Sequence, residues 1–380
     1  MRQHIYADNA ATTKLDKEAF EAMIPWLTEE YGNPSQPYFF AKKPKMAVRN
    51  ARETIAECIG AEPEQIFFTS GGTESDNWAI KCFGSSTDVK VIVTSSIEHH
   101  AILKACESQK NVHQIIYLPV DRYGIVSPND VDNALNFDGK PVCSCMTLLT
   151  SIMLANNEIG TIQPIKALAD AAHKRGSLFH TDAVQAIGHI PVNVKELGID
   201  MLSASAHKFN GPKGIGFFYD SGKHVHPHND GGSQEYGQRA GTENVAGIVG
   251  MAVALKNNCA QIVENQRHIR VLEDRFMNLM HQSGLEFIRN GSENHLPGLI
   301  SLSFKNQDGE KLLHRLDLMG ISVSTGAACD TKNTAISHVL KAIKIDDDYA
   351  EGTIRVSLGK TNSLDDCEKI VTSLKRIILE

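Results

Sequence analysis

The chain has no long apolar run, no basic excess and no paired-cysteine pattern, and each absence narrows what it can be. No stretch approaches the roughly 20 apolar residues of a membrane-crossing helix, and the first residues lack the charged-then-apolar order of a secretory leader. The reading is therefore a cytoplasmic protein without membrane contact. Acidic residues outnumber basic ones 45 to 38 with no polybasic cluster, which removes the electrostatic grounds for direct nucleic-acid binding. Small molecules and proteins are the expected partners. The eight cysteines, Cys58, Cys82, Cys106, Cys143, Cys145, Cys259, Cys329 and Cys367, include no Cys-x-x-Cys pair and no cluster at zinc spacing. Free thiols in a reducing compartment fit this pattern, and no metal site is expected. His224, His226 and His228 alternate but lack a fixed geometry, and read as a solvated segment. Most of the cysteines lie in apolar or helical contexts, where a thiol is an inert small side chain. Cys329 differs, because Ser324-Thr325-Gly326-Ala327-Ala328-Cys329-Asp330-Thr331 has no apolar neighbours to bury it.

What is present centres on Ser203-Ala204-Ser205-Ala206-His207-Lys208-Phe209-Asn210-Gly211-Pro212. A small-residue segment ends in a lysine, passes a Gly/Pro turn and enters the apolar run Ile215 to Tyr219. A lysine forms a Schiff base only through its neutral amine, which partial desolvation favours. The hydroxyls of Ser203 and Ser205 and the imidazole of His207 are suited to a phosphate, so the set points to pyridoxal phosphate. Taken alone, the segment fits a solvated lysine before a turn equally well.

The rest of the chain alternates strands and helices, which implies an α/β fold with a mostly parallel sheet sandwiched by helices. Phe20, Met23, Ile24 and Leu27 recur at helical spacing over about 16–30, with Pro25 predicting a kink or early end. The segment Tyr31 to Pro37 is a loop, and a helix follows over about 45–59. The strand Ile66-Phe67-Phe68 runs into Ser70-Gly71-Gly72-Thr73 and a helix, an arrangement whose free N–H groups and dipole attract anions. Gly72 and Thr73 are therefore phosphate candidates, although Thr73 as a plain helix cap is also consistent. Further strands are expected at 91–94, 142–154 and 177–181, with a helix over 165–174. Ligands of such sheets sit at the carboxyl ends of the strands, where Thr73, His99, Asn157, Asp182, Gln185, His207 and Lys208 all fall. Beyond a long helix at 261–282 come shorter strands and helices, including a strand with Arg355. The expected division is a large domain at 14–258 and a small α+β domain from 1–13 and 259–380.

Gly71-Gly72-Thr73-Glu74-Ser75-Asp76-Asn77, Glu98-His99, Asn157-Glu158-Ile159-Gly160, His180-Thr181-Asp182-Ala183-Val184-Gln185, Ser205-Ala206-His207-Lys208, Arg239-Ala240-Gly241-Thr242 and Gly326-Ala327-Ala328-Cys329 occur in this order. In order and approximate spacing they resemble the NifS/IscS-like cysteine desulfurases, over essentially the whole chain. The resemblance implies a fold-type-I pyridoxal-phosphate enzyme with a seven-stranded sheet, working as a homodimer. Lys208 would then hold the cofactor and move protons, and Asp182 would pair with the ring nitrogen, making the ring an electron sink. His99 would stack on the ring and serve in proton transfer, Gln185 would bond its hydroxyl, and Asn157 would lie beside cofactor and substrate. Gly72, Thr73, Ser205 and His207 would hold the phosphate, joined by Thr242 of the other subunit. Arg355 would clamp the carboxylate of L-cysteine, a match for its guanidinium fork, with Asn33 and Asn157 nearby. Cys329 would attack the substrate sulfur as a thiolate, leaving alanine and a persulfide for a sulfur-acceptor protein of iron–sulfur assembly or thiolation.

Two alternatives stay open in the sequence. One is selenocysteine lyase or another β-elimination on the same scaffold, and the other is a sulfur-relay scaffold active mainly with a partner. One departure from the family pattern is Ser35-Gln36-Pro37-Tyr38-Phe39-Phe40, where many members carry Ser-Ser-x-His after Gly-Asn-Pro.

Overall fold

The computed structural model describes residues 4–84, 89–136, 146–325 and 336–380. Along the chain the strands are β1 (Ile5–Tyr6), β2 (Ile66–Thr69), β3 (Val89–Ser95), β4 (Gln114–Leu118), β5 (Met146–Ser151), β6 (Leu178–Asp182), β7 (Met201–Ser205), β8 (Gly216–Asp220), β9 (Phe287–Asn290), β10 (Leu299–Phe304), β11 (Ile321–Ser322) and β12 (Thr353–Ser357). The helices are α1 (Lys17–Thr28), α2 (Lys42–Ile59), α3 (Gly72–Cys82), α4 (His100–Gln109), α5 (Pro128–Ala134), α6 (Ile165–His173), α7 (Val194–Leu197), α8 (Val245–Ala260), α9 (Ile262–Gln282), α10 (Gly309–Leu318), α11 (His338–Ala342), α12 (Asp347–Ala350) and α13 (Leu364–Leu379).

The main sheet has seven strands in the order β2-β8-β7-β6-β5-β3-β4. Adjacent pairs from β7 to β4 are parallel, while β8 runs antiparallel to both β7 and β2. The mostly parallel seven-stranded sheet expected from the sequence is therefore present, with β8 reversed. The carboxyl ends of β2, β3, β5, β6 and β7 consequently open on one edge. Strands buried on both faces read as continuous apolar runs, as Phe67, Phe68, Val91, Ile92 and Val93 show.

A second apolar core gathers Ile5 and Ala7 of the amino-terminal arm with Leu272, Phe276, Ile300, Leu302, Ile354 and Leu374. Its strands form the antiparallel sheet β12-β10-β9, and β1 pairs in parallel with β11. The arm then crosses to the main sheet, so residues 8–13 lie between the two cores and beside the lysine turn.

Two local expectations change, and one helix is new. Helix α1 runs past Pro25 to Thr28, because a proline one turn from the end removes a single bond and the helix packs along α8. The strand expected at 142–154 is Met146–Ser151, and Cys143 and Cys145 lie outside the described residues. Helix α8 has no counterpart in the sequence reading. It is apolar all round from Val245 to Leu255 and packs against α1 and α2, so it carries little amphipathic period. No single helix among the described residues is long and apolar enough to cross a membrane.

Candidate active site

The lysine turn is held by the amino-terminal arm. Lys208 lies in a short turn of 3-10 helix, Ala206–Lys208, at the end of β7. Its Nζ donates to the carbonyls of Ala10 at 2.6 Å and Ala11 at 2.9 Å. Gln185 Nε2 donates to the same Ala10 carbonyl at 2.9 Å. The backbone carbonyl of His207 receives both the N–H and the hydroxyl of Thr13, at 2.9 and 2.8 Å. His207 Nδ1 meets Thr12 Oγ1 at 3.1 Å, and burial pushes its pKa down to about 4. The imidazole is thus neutral at pH 7 and presents a fixed polar edge rather than a charge.

The phosphate candidates meet where β2, β7 and β8 come into register. Thr69 pairs with Gly216, and Gly216 pairs with Ser205. Gly71, at φ 149°, precedes the first turn of α3. A Cβ at Gly216 would lie 2.4 Å from the Ala204 carbonyl and 2.7 Å from Gly71 Cα, so only glycine lets these backbones approach. The first N–H groups of α3 have no intrahelical acceptor and stand beside Ser205, whose Oγ lies 3.4 Å from where a Gly71 Cβ would be. Thr73 is exposed at this end. Ser203, a phosphate candidate in the sequence, is corrected: it is fully buried and its hydroxyl meets His180 Nε2 at 2.9 Å.

Asp182 ends β6 and is 5% exposed. Its Oδ1 accepts the Val184 N–H at 2.9 Å. Burial raises its pKa, while the neighbouring His99 and Lys208 pull it down. His99 caps α4, its Nδ1 accepting the Ala101 N–H at 3.2 Å. The proton of the neutral ring therefore sits on Nε2. Burial lowers the His99 pKa, with Asp182 opposing.

The substrate candidates are only partly assembled. Arg355, on β12, is buried and donates to the Asn157 carbonyl at 2.7 Å and to Asp8 Oδ1 at 2.8 Å. Asn157 thus joins the site through its backbone. It is presented by buried Asn156, whose Oδ1 accepts the N–H groups of Glu158 and Ile159 and whose amide donates to Ile97. The Asn33 side chain accepts the Ser35 N–H within its own loop and makes no hydrogen bond to Arg355 or Asn157. Thr242 is exposed and makes no hydrogen bond to the other candidates among the described residues. Cys329 lies outside the described residues.

The sequence reading missed a layer beneath these groups. His180 is fully buried between Ser151 and Ser203, each 2.9 Å from a ring nitrogen, and burial drives its pKa down to about 3. Glu98 is fully buried and accepts from Ser95 and the Met153 N–H, yet burial pushes its pKa up to about 8. Asp76, on α3, is the third such group, 1% exposed. Both Glu98 and Asp76 stood inside motifs, but nothing in those motifs marks which polar residues turn inward. The histidines 224, 226 and 228 gather no metal-ligand set among the described residues. Ring stacking on Trp78, with centroids 5.6 Å apart, occupies His228.

This donor set fits pyridoxal phosphate. A lysine, a buried carboxylate, an amide donor and a glycine-opened helix start with an adjacent serine share one sheet edge, which is what an aldehyde, a pyridine nitrogen, a ring hydroxyl and a phosphate each require.

Comparison with known proteins agrees with this geometry. The Aminotransferase class-V family profile matches residues 5–370. Cysteine desulfurase IscS of Dictyoglomus turgidum is 47% identical over 383 residues, covering 100% of this chain and 95% of the relative. A solved NifS-like protein superposes with TM-score 0.91 at 36% identity, covering 99% of this chain and 100% of that one. A second solved structure, SspA in complex with cysteine, superposes with TM-score 0.80 at 32% identity, covering 94% of this chain and 100% of that one. With the profile spanning nearly its whole length and relatives this close, the chain belongs to the class-V aminotransferase family, in its NifS/IscS-like cysteine desulfurase group.

Proposed function

We propose that this chain is a pyridoxal-phosphate cysteine desulfurase in which Lys208, Asp182 and Cys329 carry the chemistry. The observation that supports it most is the convergence of Lys208, Gln185 and the Ala10 carbonyl, with Asp182, His99 and the α3 start opening on the same edge. When bound, pyridoxal phosphate supplies a carbonyl for the substrate amine and a ring that takes up electrons. Lys208 would hold it covalently, with Asp182 for its ring nitrogen, Gln185 for its hydroxyl and His99 for its ring. Gly72, Thr73, Ser205 and His207 would hold its phosphate.

Arg355 binds the carboxylate of L-cysteine, beside Asn157, and orients its Cα–H toward Lys208. Lys208 Nζ, once the substrate amine has displaced it, would take the Cα proton, and His99, with its proton on Nε2, would serve proton transfer at the substrate. The Cys329 thiolate attacks the substrate sulfur. An S–S bond forms as the Cβ–S bond breaks, and carbon takes up protons. L-cysteine plus the Cys329 thiol thus become L-alanine plus a Cys329 persulfide, balanced without another oxidant or reductant. The persulfide passes to a sulfur-acceptor protein of iron–sulfur assembly or thiolation.

Thr242 would join the phosphate site from a second copy, which makes a homodimer the expected working form. Phe20, Ile24 and Leu27, exposed along one side of α1, are apolar surface that association would cover.

The test is alanine formation from L-cysteine with a thiol reductant, using the parent, Cys329→Ala and Lys208→Ala, with visible spectra of each. Alanine from the parent alone, with bound cofactor colour kept in Cys329→Ala and lost in Lys208→Ala, is expected. Alanine at the parental rate from Cys329→Ala would overturn the nucleophile assignment.

A further inference from the structure

Asp76 and Asp182 are neighbours under the site. One ligand atom from each of Asp76, Asp182 and His99 lies within 4.8 Å of the other two. Asp76 is buried, and its Oδ1 has no hydrogen-bond partner among the described residues. The His180 ring, also beside it, has Nε2 3.9 Å from Oδ1, beyond hydrogen-bond reach, and is neutral. The Ser203 hydroxyl faces the Asp76 carboxyl and favours its charged form, but burial and the charge of Asp182 outweigh it. Glu98 adds a third buried carboxyl facing both aspartates.

Carboxylates this close in a dry site cannot all ionise. The two aspartates are not equivalent. Asp182 has a backbone donor, the Val184 N–H, and feels both His99 and Lys208. Asp76 has only the Ser203 hydroxyl, and its Oδ1 has no donor among the described residues. A charge is stabilised where donors point at it, so the ionised member of the pair is Asp182.

We propose that Asp76 is a positioning residue for Asp182: it stands beside it as a neutral carboxylic acid, steadies that carboxylate as a proton donor, and leaves it as the charge presented to the cofactor's ring nitrogen. The inference rests on the reading that Asp182 faces that nitrogen. Its proton stays within the protein and takes no part in turnover. The functional requirement at position 76 is therefore a short neutral donor.

The test uses the holoenzyme with Asp76→Leu, Asp76→Asn and Asp182→Asn, each checked for folding by circular dichroism. Readouts are the pH midpoint of the bound-cofactor visible band, the cofactor Kd of the apoprotein, and kcat and KM for L-cysteine. Asp76→Leu should shift the midpoint and lower kcat about tenfold with KM little changed, as loss of an outer supporting partner does. Asp76→Asn, neutral and able to donate, should restore most of both. An Asp76→Asn variant as impaired as Asp76→Leu would overturn the proposal, since the charge would then be what matters. So would an Asp76→Leu variant with parental midpoint and kcat. If Asp76→Leu does not fold, Asp76→Ala takes its place under the same criteria. Asp182→Asn separates the two readings: parental kcat and spectrum there would refute the role of Asp182 itself, whatever the Asp76 variants do.

Discussion

The guanidinium of Arg355 is clasped by the carboxylate of Asp8, 2.8 Å from Nη2, across 347 residues of chain. The pair joins β12 to the amino-terminal arm, and the Asn157 carbonyl closes the other side. Asp8→Ala leaves a buried cation without its anion, which costs about 3 kcal/mol. A ligand that brings its own carboxylate should repair part of that loss. Saturating L-alanine is expected to stabilise Asp8→Ala more than the parent in urea unfolding of the holoenzyme. Equal gains in both proteins would show that the ligand carboxylate does not reach Arg355.

At Gly71 the backbone has φ 149° and ψ −176°, a region open essentially to glycine. Alanine there is strained by about 1–3 kcal/mol, and relief comes by turning the first N–H groups of α3 away from Ser205. Gly71→Ala should therefore weaken pyridoxal-phosphate binding about tenfold, since about 1.4 kcal/mol is a factor of ten. Titration of the apoprotein with cofactor measures it. An unchanged Kd would remove this turn from the phosphate cradle.

Glu98 makes folding stability fall on the alkaline side. Its carboxyl keeps a proton in the folded chain up to about pH 8, whereas the unfolded chain releases it near pH 4.3. Its contribution is fully present below the unfolded value and is lost as pH rises toward the folded one. His180, held neutral down to about 3, acts in the opposite sense, its contribution being lost as pH falls below about 6.5. Glu98→Gln removes the first effect while an amide oxygen still accepts from the Met153 N–H. In the apoprotein the variant should gain on the parent by about 2 kcal/mol more at pH 8 than at pH 6. Parallel stability curves from urea unfolding at the two pH values would sink this expectation.

The site's upper layer was legible because strand ends align. Once the strand–helix alternation is read, Thr73, His99, Asp182, Gln185 and Lys208 share an edge without any knowledge of side-chain contacts. Its lower layer was not legible. Asp76, His180 and Ser203 meet only because α3 lies across the sheet strands, and polarity in the sequence does not reveal which polar residues are buried. Arg355 was assigned from the family pattern, but its partner Asp8 is too distant in sequence for any local signal. Helix α8 was missed because an apolar face is recognised by contrast with a polar one, and α8 has little contrast.

The loop that carries Arg239 to Thr242 is anchored by a buried ion pair. Arg52 of α2 meets Glu235 through two hydrogen bonds, of 2.8 and 2.7 Å, and its guanidinium lies 4.4 Å from the centre of the Phe68 ring. Glu235 also accepts the Phe68 N–H of β2 at 2.8 Å, and sits at φ 47° in the left-handed region. Neutralising it strands the cation and loosens the loop from the sheet edge. Glu235→Gln should cost about 3 kcal/mol in urea unfolding. Replacing both partners, Arg52→Met with Glu235→Leu, should recover part of that, because neither charge is then buried alone. A double variant no more stable than Glu235→Gln would place the cost in the left-handed turn and the unpaired Phe68 N–H, rather than in the stranded guanidinium.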